Sequence, residues 1–553
     1  MAYNGMKFLI YNKGSLGRIM YWKINHIRQK SSYYITTPIF YVNAEPHIGH
    51  LYTSILADAT ARFQVMKNPK VNLKFMTGTD EHGSKISISA QAHKMSEQIF
   101  CDAISQKYIN MFDLFNLCYT DFLRTTEERH KNTATRLWNL IFERGYIYQG
   151  EYAGWYCISD EAFVSEKDLC PKESDDDGVR LTLDTNKMVH FVEEKNYKFK
   201  LSHFKNDLLH WLRSGCIVKP TKFQNELELM IENEEVMRDL SVSRPAARVK
   251  WGIPVPNDPT QVMYVWLDAL SSYLTSSGYP ESVDHWPPDL HVIGKDILRF
   301  HGVYWPSFLI AAGLEPPRRI LCHSHWLNDG MKMSKSLGNV IDPMSRVQTY
   351  TCDGLRYYLL HAGVPHSDGN FREAEIRDVI NADLADKLGN LLRRCLSKVL
   401  NTGYVFPSFS SEHHSKYCSE YCEDLIQCLE TLPESVAGHY ENFEFCKGIT
   451  EIMRAISLAN KFIETKEPWK LKNRSQRDEV RSTIHIALET LRICGILLQP
   501  VVPKIADSLL KVLSVDAEHR SFEDIRPFSW QSDSGDDRRL SNYDGILFRK
   551  VMN

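Results

Sequence analysis

A doubly wound α/β sheet with a small inserted domain, followed by an all-α helix bundle, is the fold class this sequence predicts. Three observations carry that prediction. A strand, a helix and a second strand follow one another after residue 32, strand-like runs return beyond an irregular stretch, and the last third repeats at helical spacing. At 553 residues the chain is also too long for one compact core, so two to four domains are expected.

Residues 33–37 (YYITT) are aromatic and β-branched, as suits a buried strand, and Pro38 and Pro46 are expected to break it into a loop. Leu51, Ile55, Ala59, Phe63 and Met66 then mark one face of a helix. Residues 71–76 read as a second strand, ending in the loop 78–83 (GTDEHG). This order is a parallel crossover unit, and in such sheets ligands bind beyond the carboxyl ends of the strands, where both loops lie. Residues 150–240 look inserted, with YAGWYC at 152–157, an acidic loop at 173–178 and a mixed amphipathic stretch. Strand-like runs resume at 264–267 (YVWL) and 291–294 (HVIG), and a third candidate at 319–322 precedes a Gly/Ser/Lys-rich loop at 328–339. Beyond residue 375 come helical stripes: Leu384, Leu388, Leu391, Cys395 and Val399, then Ile449, Ile452, Ile456, Ala459 and Ile463, then residues 484–498. Residues 408–416 are expected to be a loop and 532–543 a floppy tail. The expected division is a leader at 1–30, a sheet domain at 31–149 and 241–375 interrupted by the insertion at 150–240, and a bundle at 376–553.

The leader is basic and free of acid. Lys7, Lys13, Arg18, Lys23, Arg28 and Lys30 precede the first carboxylate of the chain, Glu45, a composition that fits a mitochondrial transit peptide and hence the matrix. Lys13 and Arg18 interrupt the apolar run that a secretory signal would need. No stretch approaches the roughly 20 apolar residues of a membrane span. A net charge of -3 gives no long-range positive field, so nucleic acid would have to dock on local basic surface. The thirteen cysteines lack the spacing of a disulfide scaffold and read as reduced thiols.

Two motifs carry chemistry. His47-Ile-Gly-His50 opens the first helix, where two imidazoles stand beside the unpaired N–H groups of the first turn, a natural seat for nucleotide phosphates. Gly49 between them allows close approach, having no Cβ. Lys332-Met-Ser-Lys335-Ser lies in the loop after the third candidate strand, between Gly330 and Gly338. Two ammonium groups on such a loop can close over a triphosphate and stabilise charge on leaving pyrophosphate. A basic loop is ordinarily solvated surface; both motifs in order, at strand ends of one α/β domain, go beyond that.

HIGH and KMSKS together are the signature of class I aminoacyl-tRNA synthetases, and the surrounding blocks resemble the methionyl-tRNA synthetases. TTPIFYVNAEPHIGHLYT, FMTGTDEHG, FLRTTEERH, GEYAGWYC, SVSRP, WGIPVP, YVWLDAL, IGKDI, ADLADKLGNLLRR and KEPW follow in order, mostly within residues 33–400. The resemblance implies a Rossmann-like catalytic domain, an anticodon-binding bundle, and ligation of methionine to tRNA through an adenylate. It implies catalytic roles for His47, His50, Lys332 and Lys335, with ATP also contacted by Gly49, Gly294 and Asp296. Mg²⁺ would accompany ATP on its phosphate oxygens. It implies a methionine pocket of Asp80, facing the ammonium group, and Ile39, Tyr41, Trp266, Ala269, Tyr273, Ile297 and His301 around the thioether, where sulfur–aromatic contacts contribute about 0.3–1.5 kcal/mol each. On residue type alone Trp266 and Tyr273 read as core packing, the usual place of aromatics in an α/β domain. Asn390, Arg394 and Trp469 match the residues that read the anticodon, by stacking and base-edge hydrogen bonds; without the match they are a surface pair and a bundle tryptophan.

The sequence departs from many relatives in the insertion. Where a zinc knuckle would use Cys-x-x-Cys pairs, it has Cys157-Ile-Ser-Asp160 and Cys170-Pro-Lys-Glu173, so no structural zinc is expected. The bundle is expected to lack the appended tRNA-binding domain that makes some relatives dimers, and a monomer is expected. The rival readings are a synthetase for another amino acid, a catalytically silent tRNA-binding paralogue, and a small nucleotidyltransferase. The insertion is too short for the editing domain of the leucine group, binding alone does not require both intact motifs, and a nucleotidyltransferase leaves the bundle unexplained.

Overall fold

The computed structural model describes residues 32–157, 162–164, 166–170, 179–183, 186–282, 284–333, 338–471, 473–526, 536–541 and 545–552. The leader, Asp160, Glu173 and Lys335 lie outside them.

Six parallel strands form the central sheet. Strand β1 (Ser32–Tyr41) leads into helix α1 (Ile48–Lys67) and strand β2 (Asn72–Asp80). Strand β3 (Asp121–Arg124) precedes helix α2 (Glu128–Glu143), and strand β4 (Val218–Lys219), helix α3 (Val265–Ser277), strand β5 (Leu290–Gly294) and strand β6 (Ile320–His323) follow. The spatial order is β3-β2-β1-β5-β6-β4, every pair parallel. The order reverses between β1 and β5, which opens a crevice at their carboxyl ends. Side chains alternate across the sheet, so Ile35, Phe75, Val292 and Leu321 enter one core while Tyr34, Met76, Ile293 and Cys322 enter another. Both faces are covered, as an all-parallel sheet requires.

Pro38 does not end β1. The strand runs on to Tyr41, and its register against β2 slips by one residue between Thr36 and Ile39. A bulge absorbs the proline and turns Ile39 and Tyr41 toward the crevice. The run at 264–267 is not a strand: the strand here is 258–263, and Val265 already belongs to α3. α3 is buried almost all round, so its short apolar run lacks the period that separates helix from strand.

Residues 147–157 and 188–199 pair along their full length and, with three short strands, make the antiparallel sheet of the insertion. The remainder of the span to residue 240 packs on the central sheet, with β4 as its edge and Leu208, Trp211 and Phe223 in the same core as β5 and β6.

After helix α4 (Cys352–Ala362) come the bundle helices α5 (Asn390–Cys395), α6 (Ser419–Glu441), α7 (Phe445–Lys466) and α8 (Arg477–Leu497). Leu384, Leu388, Leu391 and Cys395 are fully buried, but α5 ends at Cys395 and leaves Val399 exposed, against the expected stripe. The stripe from Ile449 to Ile463 is buried throughout. Residues 411–417 form a helix capped by Ser410 rather than a loop, and Arg538–Arg539 pair with Val405–Phe406 rather than trailing free. The core on the α1 face of the sheet is continuous with the bundle.

Candidate active site

At the β1/β5 crevice lies a cavity of about 560 Å³. The sequence builds its rim locally. His47 caps α1: the Gly49 N–H donates to His47 Nδ1 at 3.1 Å, and the His47 N–H donates to His50 Nδ1 at 3.2 Å. The two histidines thus satisfy each other's end of the helix, with rings stacked 3.6 Å apart. Because each Nδ1 accepts, the proton of each neutral ring sits on Nε2. A Cβ on residue 49 would lie 3.0 Å from the His47 ring, so any larger residue there obliges the ring to shift by a few tenths of an ångström.

His47, Gly49 and His50 line the cavity from α1. Gly294 and Asp296 line it from the end of β5, and a Cβ on Gly294 would come within 2.7 Å of Asp296 Oδ1. Lys332 reaches the same cavity from a hairpin in which residues 331–332 pair with 326–328.

The other lobe is aromatic. Ile39 and Tyr41 enter from the bulged end of β1 and Asp80 from the end of β2. Trp266, Ala269 and Tyr273 form one face of α3, and Ile297 and His301 follow β5. Trp266 stacks on Phe300 at 3.6 Å. His301 Nδ1 donates to the Ile297 carbonyl at 3.0 Å, so its Nε2 accepts from the Tyr273 hydroxyl at 2.7 Å. Burial holds His301 neutral, pushing its pKa down to about 4. The lobe therefore offers a thioether an apolar cage in which the Tyr273 hydroxyl and the His301 ring are paired to each other. Beside Asp80, Glu81 is fixed by Arg124, whose Nε donates to Oε1 at 2.7 Å, which pins the loop that carries the carboxylate.

Every expected ATP and methionine residue among the described ones lines this single cavity. Sequence reasoning missed Lys85, His323 and His325, which also line it. His323 and His325 close β6, and the rule that sites lie beyond strand ends would have found them. His323 Nε2 sits 2.8 Å from Thr53 Oγ1 and so ties β6 to α1. Lys85 stands just past the GTDEHG loop, 5.6 Å over the Tyr41 ring.

A family model described as tRNA synthetases class I (M) matches residues 33–396, and one for the anticodon binding domain of methionyl tRNA ligase matches residues 414–551. The chain belongs to the methionyl-tRNA synthetase family. The mitochondrial methionine–tRNA ligase of Xenopus laevis is 44% identical over 88% of this chain and 87% of its own. That of Homo sapiens is 41% identical over 94% and 90%. A solved structure of the Mycobacterium tuberculosis methionyl-tRNA synthetase, in complex with methionyl-adenylate, superposes with a TM-score of 0.85 at 35% identity, covering 94% of this chain and all of that one.

The expected anticodon residues of this family member sit on the bundle. Arg394 on α5 donates to Glu464 of α7 at 2.8 Å, and Trp469 lies in the short turn after α7, 38% exposed. Asn390 begins α5 and accepts from Arg393 at 3.1 Å. In the insertion, Cys157 is buried and the Cys170 thiol lies 3.7 Å from the Thr182 carbonyl. Among the described residues no group of three or more His, Cys, Asp or Glu is placed to hold a metal ion.

Proposed function

We propose that this chain is a methionine–tRNA ligase that activates methionine with MgATP to methionyl-adenylate and pyrophosphate, then transfers it to the terminal adenosine of its tRNA. The observation that supports this reading is the single cavity in which the His47–His50 start of α1 and the aromatic face of Trp266 and Tyr273 meet. ATP would lie against the Nε2–H groups of His47 and His50 and the backbone at Gly49, its ribose by Gly294 and Asp296. Lys332 and Lys335 would neutralise the leaving pyrophosphate. Methionine would set its ammonium group against Asp80 and its thioether among Trp266, Tyr273 and His301. Its carboxylate then attacks the α-phosphorus, and the bond to the bridging oxygen of pyrophosphate breaks. No side chain need act as nucleophile; positioning and preorganised charge supply the rate. A ribose hydroxyl of the tRNA's last adenosine, the 2′-OH, attacks the adenylate carbonyl and releases AMP.

The bundle would read the anticodon through Asn390, Arg394 and Trp469. The basic leader and the mitochondrial relatives support a site of action in the mitochondrial matrix. We further propose that the enzyme acts as a monomer and that its insertion folds without zinc. The test is ATP–pyrophosphate exchange by protein lacking the leader, with each amino acid in turn. Methionine-dependent exchange that falls at least about 100-fold in Lys335→Ala supports the reading. Exchange with another amino acid, or none from folded protein, overturns it.

A further inference from the structure

Asp268 does not line the cavity, yet it joins the two parts of the amino-acid site. Trp266, Ala269 and Tyr273 face the cavity from α3, while Asp268 and Thr275 lie on another side of the same helix. Asp268 Oδ2 accepts from His82 Nδ1 at 2.6 Å, and Oδ1 accepts from His130 Nε2 at 2.6 Å. His130, on α2, sets its other nitrogen 3.1 Å from Thr275 Oγ1. Asp268, His82 and His130 are at most 4% exposed. Burial alone would raise the Asp268 carboxyl, but the two imidazoles outweigh it and hold its pKa at about 2. A buried carboxylate with an imidazole on each oxygen is a short, directional link of the charge-assisted kind.

What it links matters for selection. His82 stands two residues beyond Asp80 on the loop after β2, whereas Trp266, Ala269 and Tyr273 of the cage stand on α3. An amino acid of given length is measured between these two elements, its ammonium group at one and its side-chain end at the other. The sequence of neither element sets their separation; the bond between His82 and Asp268 crosses it.

We propose that Asp268 is a positioning residue for amino-acid selection, holding Asp80 through His82 at a fixed separation from the Trp266–Tyr273 cage. The proposal rests on the reading of this cavity as the methionine site. A misplacement of about 1 Å between groups that must engage together costs on the order of 100-fold, so a link that sets this separation acts on selectivity rather than on fold alone.

The test uses Asp268→Asn and His82→Gln in the full enzyme, measured by ATP–pyrophosphate exchange with methionine and with ethionine, one methylene longer. The expected result is a KM for methionine raised at least about 10-fold in each variant, a KM for ATP changed less than about 3-fold, and a reduced preference for methionine over ethionine. The double variant should be no worse than the worse single one, because both remove the same link. An unchanged KM for methionine overturns the proposal. So do equal rises in both KM values, which mark a general structural loss, or additive effects in the double variant. Where Asp268→Asn fails to fold, His82→Gln carries the test, since it leaves the His130 bond in place. Wild-type enzyme without methionine-dependent exchange would remove the functional reading itself. Wild-type exchange with unshifted variants would remove only this inference.

Discussion

His301 and His323 are buried imidazoles whose pKa values are pushed by desolvation down to about 4, well below that of an exposed histidine. The native state therefore binds fewer protons than the unfolded chain between about pH 6.5 and pH 4. Stability contributed by keeping these rings neutral is present above pH 6.5 and is lost as pH falls through that window, by about 1.4 kcal/mol per pH unit for each ring. Thermal melts between pH 7 and 4 should show this fall, and His323→Gln should flatten it. A flat profile in the wild type would sink the assignment of neutral rings. At the same scale, Tyr273→Phe leaves the His301 Nε2 lone pair unpaired, at a cost of about 1–3 kcal/mol, and should raise the KM for methionine more than that for ATP. The motif residues His47, Gly49, His50 and Lys332 were legible because their types already suit phosphate. Asp268 was not, because a carboxylate in an apolar helix announces nothing until its two histidines, 186 and 138 residues away, are brought to it.

At the scale of elements, α1 is both scaffold and cavity wall. Gly49→Ala should favour the helix by up to about 1 kcal/mol through propensity, while its Cβ presses on the His47 ring. The expected outcome is an unchanged or higher melting temperature with pyrophosphate exchange at least about 10-fold slower; an active variant would show that the ring stack is dispensable. The turn after α7 makes a separate prediction. Trp469→Ala removes a half-exposed ring, so stability should change by less than about 0.5 kcal/mol. The KM for tRNA should rise about 5- to 100-fold, the value of one stacked base, with amino-acid activation far less affected. A tRNA KM unmoved by the change would place anticodon reading elsewhere. Elements of clear period, such as α1 and α7, were legible in the sequence. The run at 264–267 and the bulged β1 were not, since burial on all sides erases the period and a bulge lets a strand pass a proline.

Across the whole molecule, one buried arginine joins what the sequence presents as separate domains. Arg356 of α4 sets its Nη2 2.6 Å from Asp58 of α1; the same Nη2 donates to the Pro500 carbonyl and Nε to that of Val501, beside the bundle. Both side chains are fully buried. Asp58 keeps its pair with Arg62 at 2.8 Å, so Arg356→Ala should cost about 1.5–3 kcal/mol, the value of hydrogen bonds to a charged group, and loosen the bundle from the sheet, visible as a lowered or split calorimetric transition. An unshifted single transition would mean that the continuous apolar core alone holds the two together. The sequence by itself determined the class of fold, the order of its units and the two motifs, because these depend on local period and on residue chemistry, while the aromatic residues of the cavity were named by the family resemblance. Only the tertiary structure decided that β4 returns from the middle of the insertion to the sheet edge. It likewise decided that His323, His325 and Lys85 share the cavity and that Asp268 bridges to His82. Those facts are distances between residues far apart in sequence, fixed by packing rather than by local pattern.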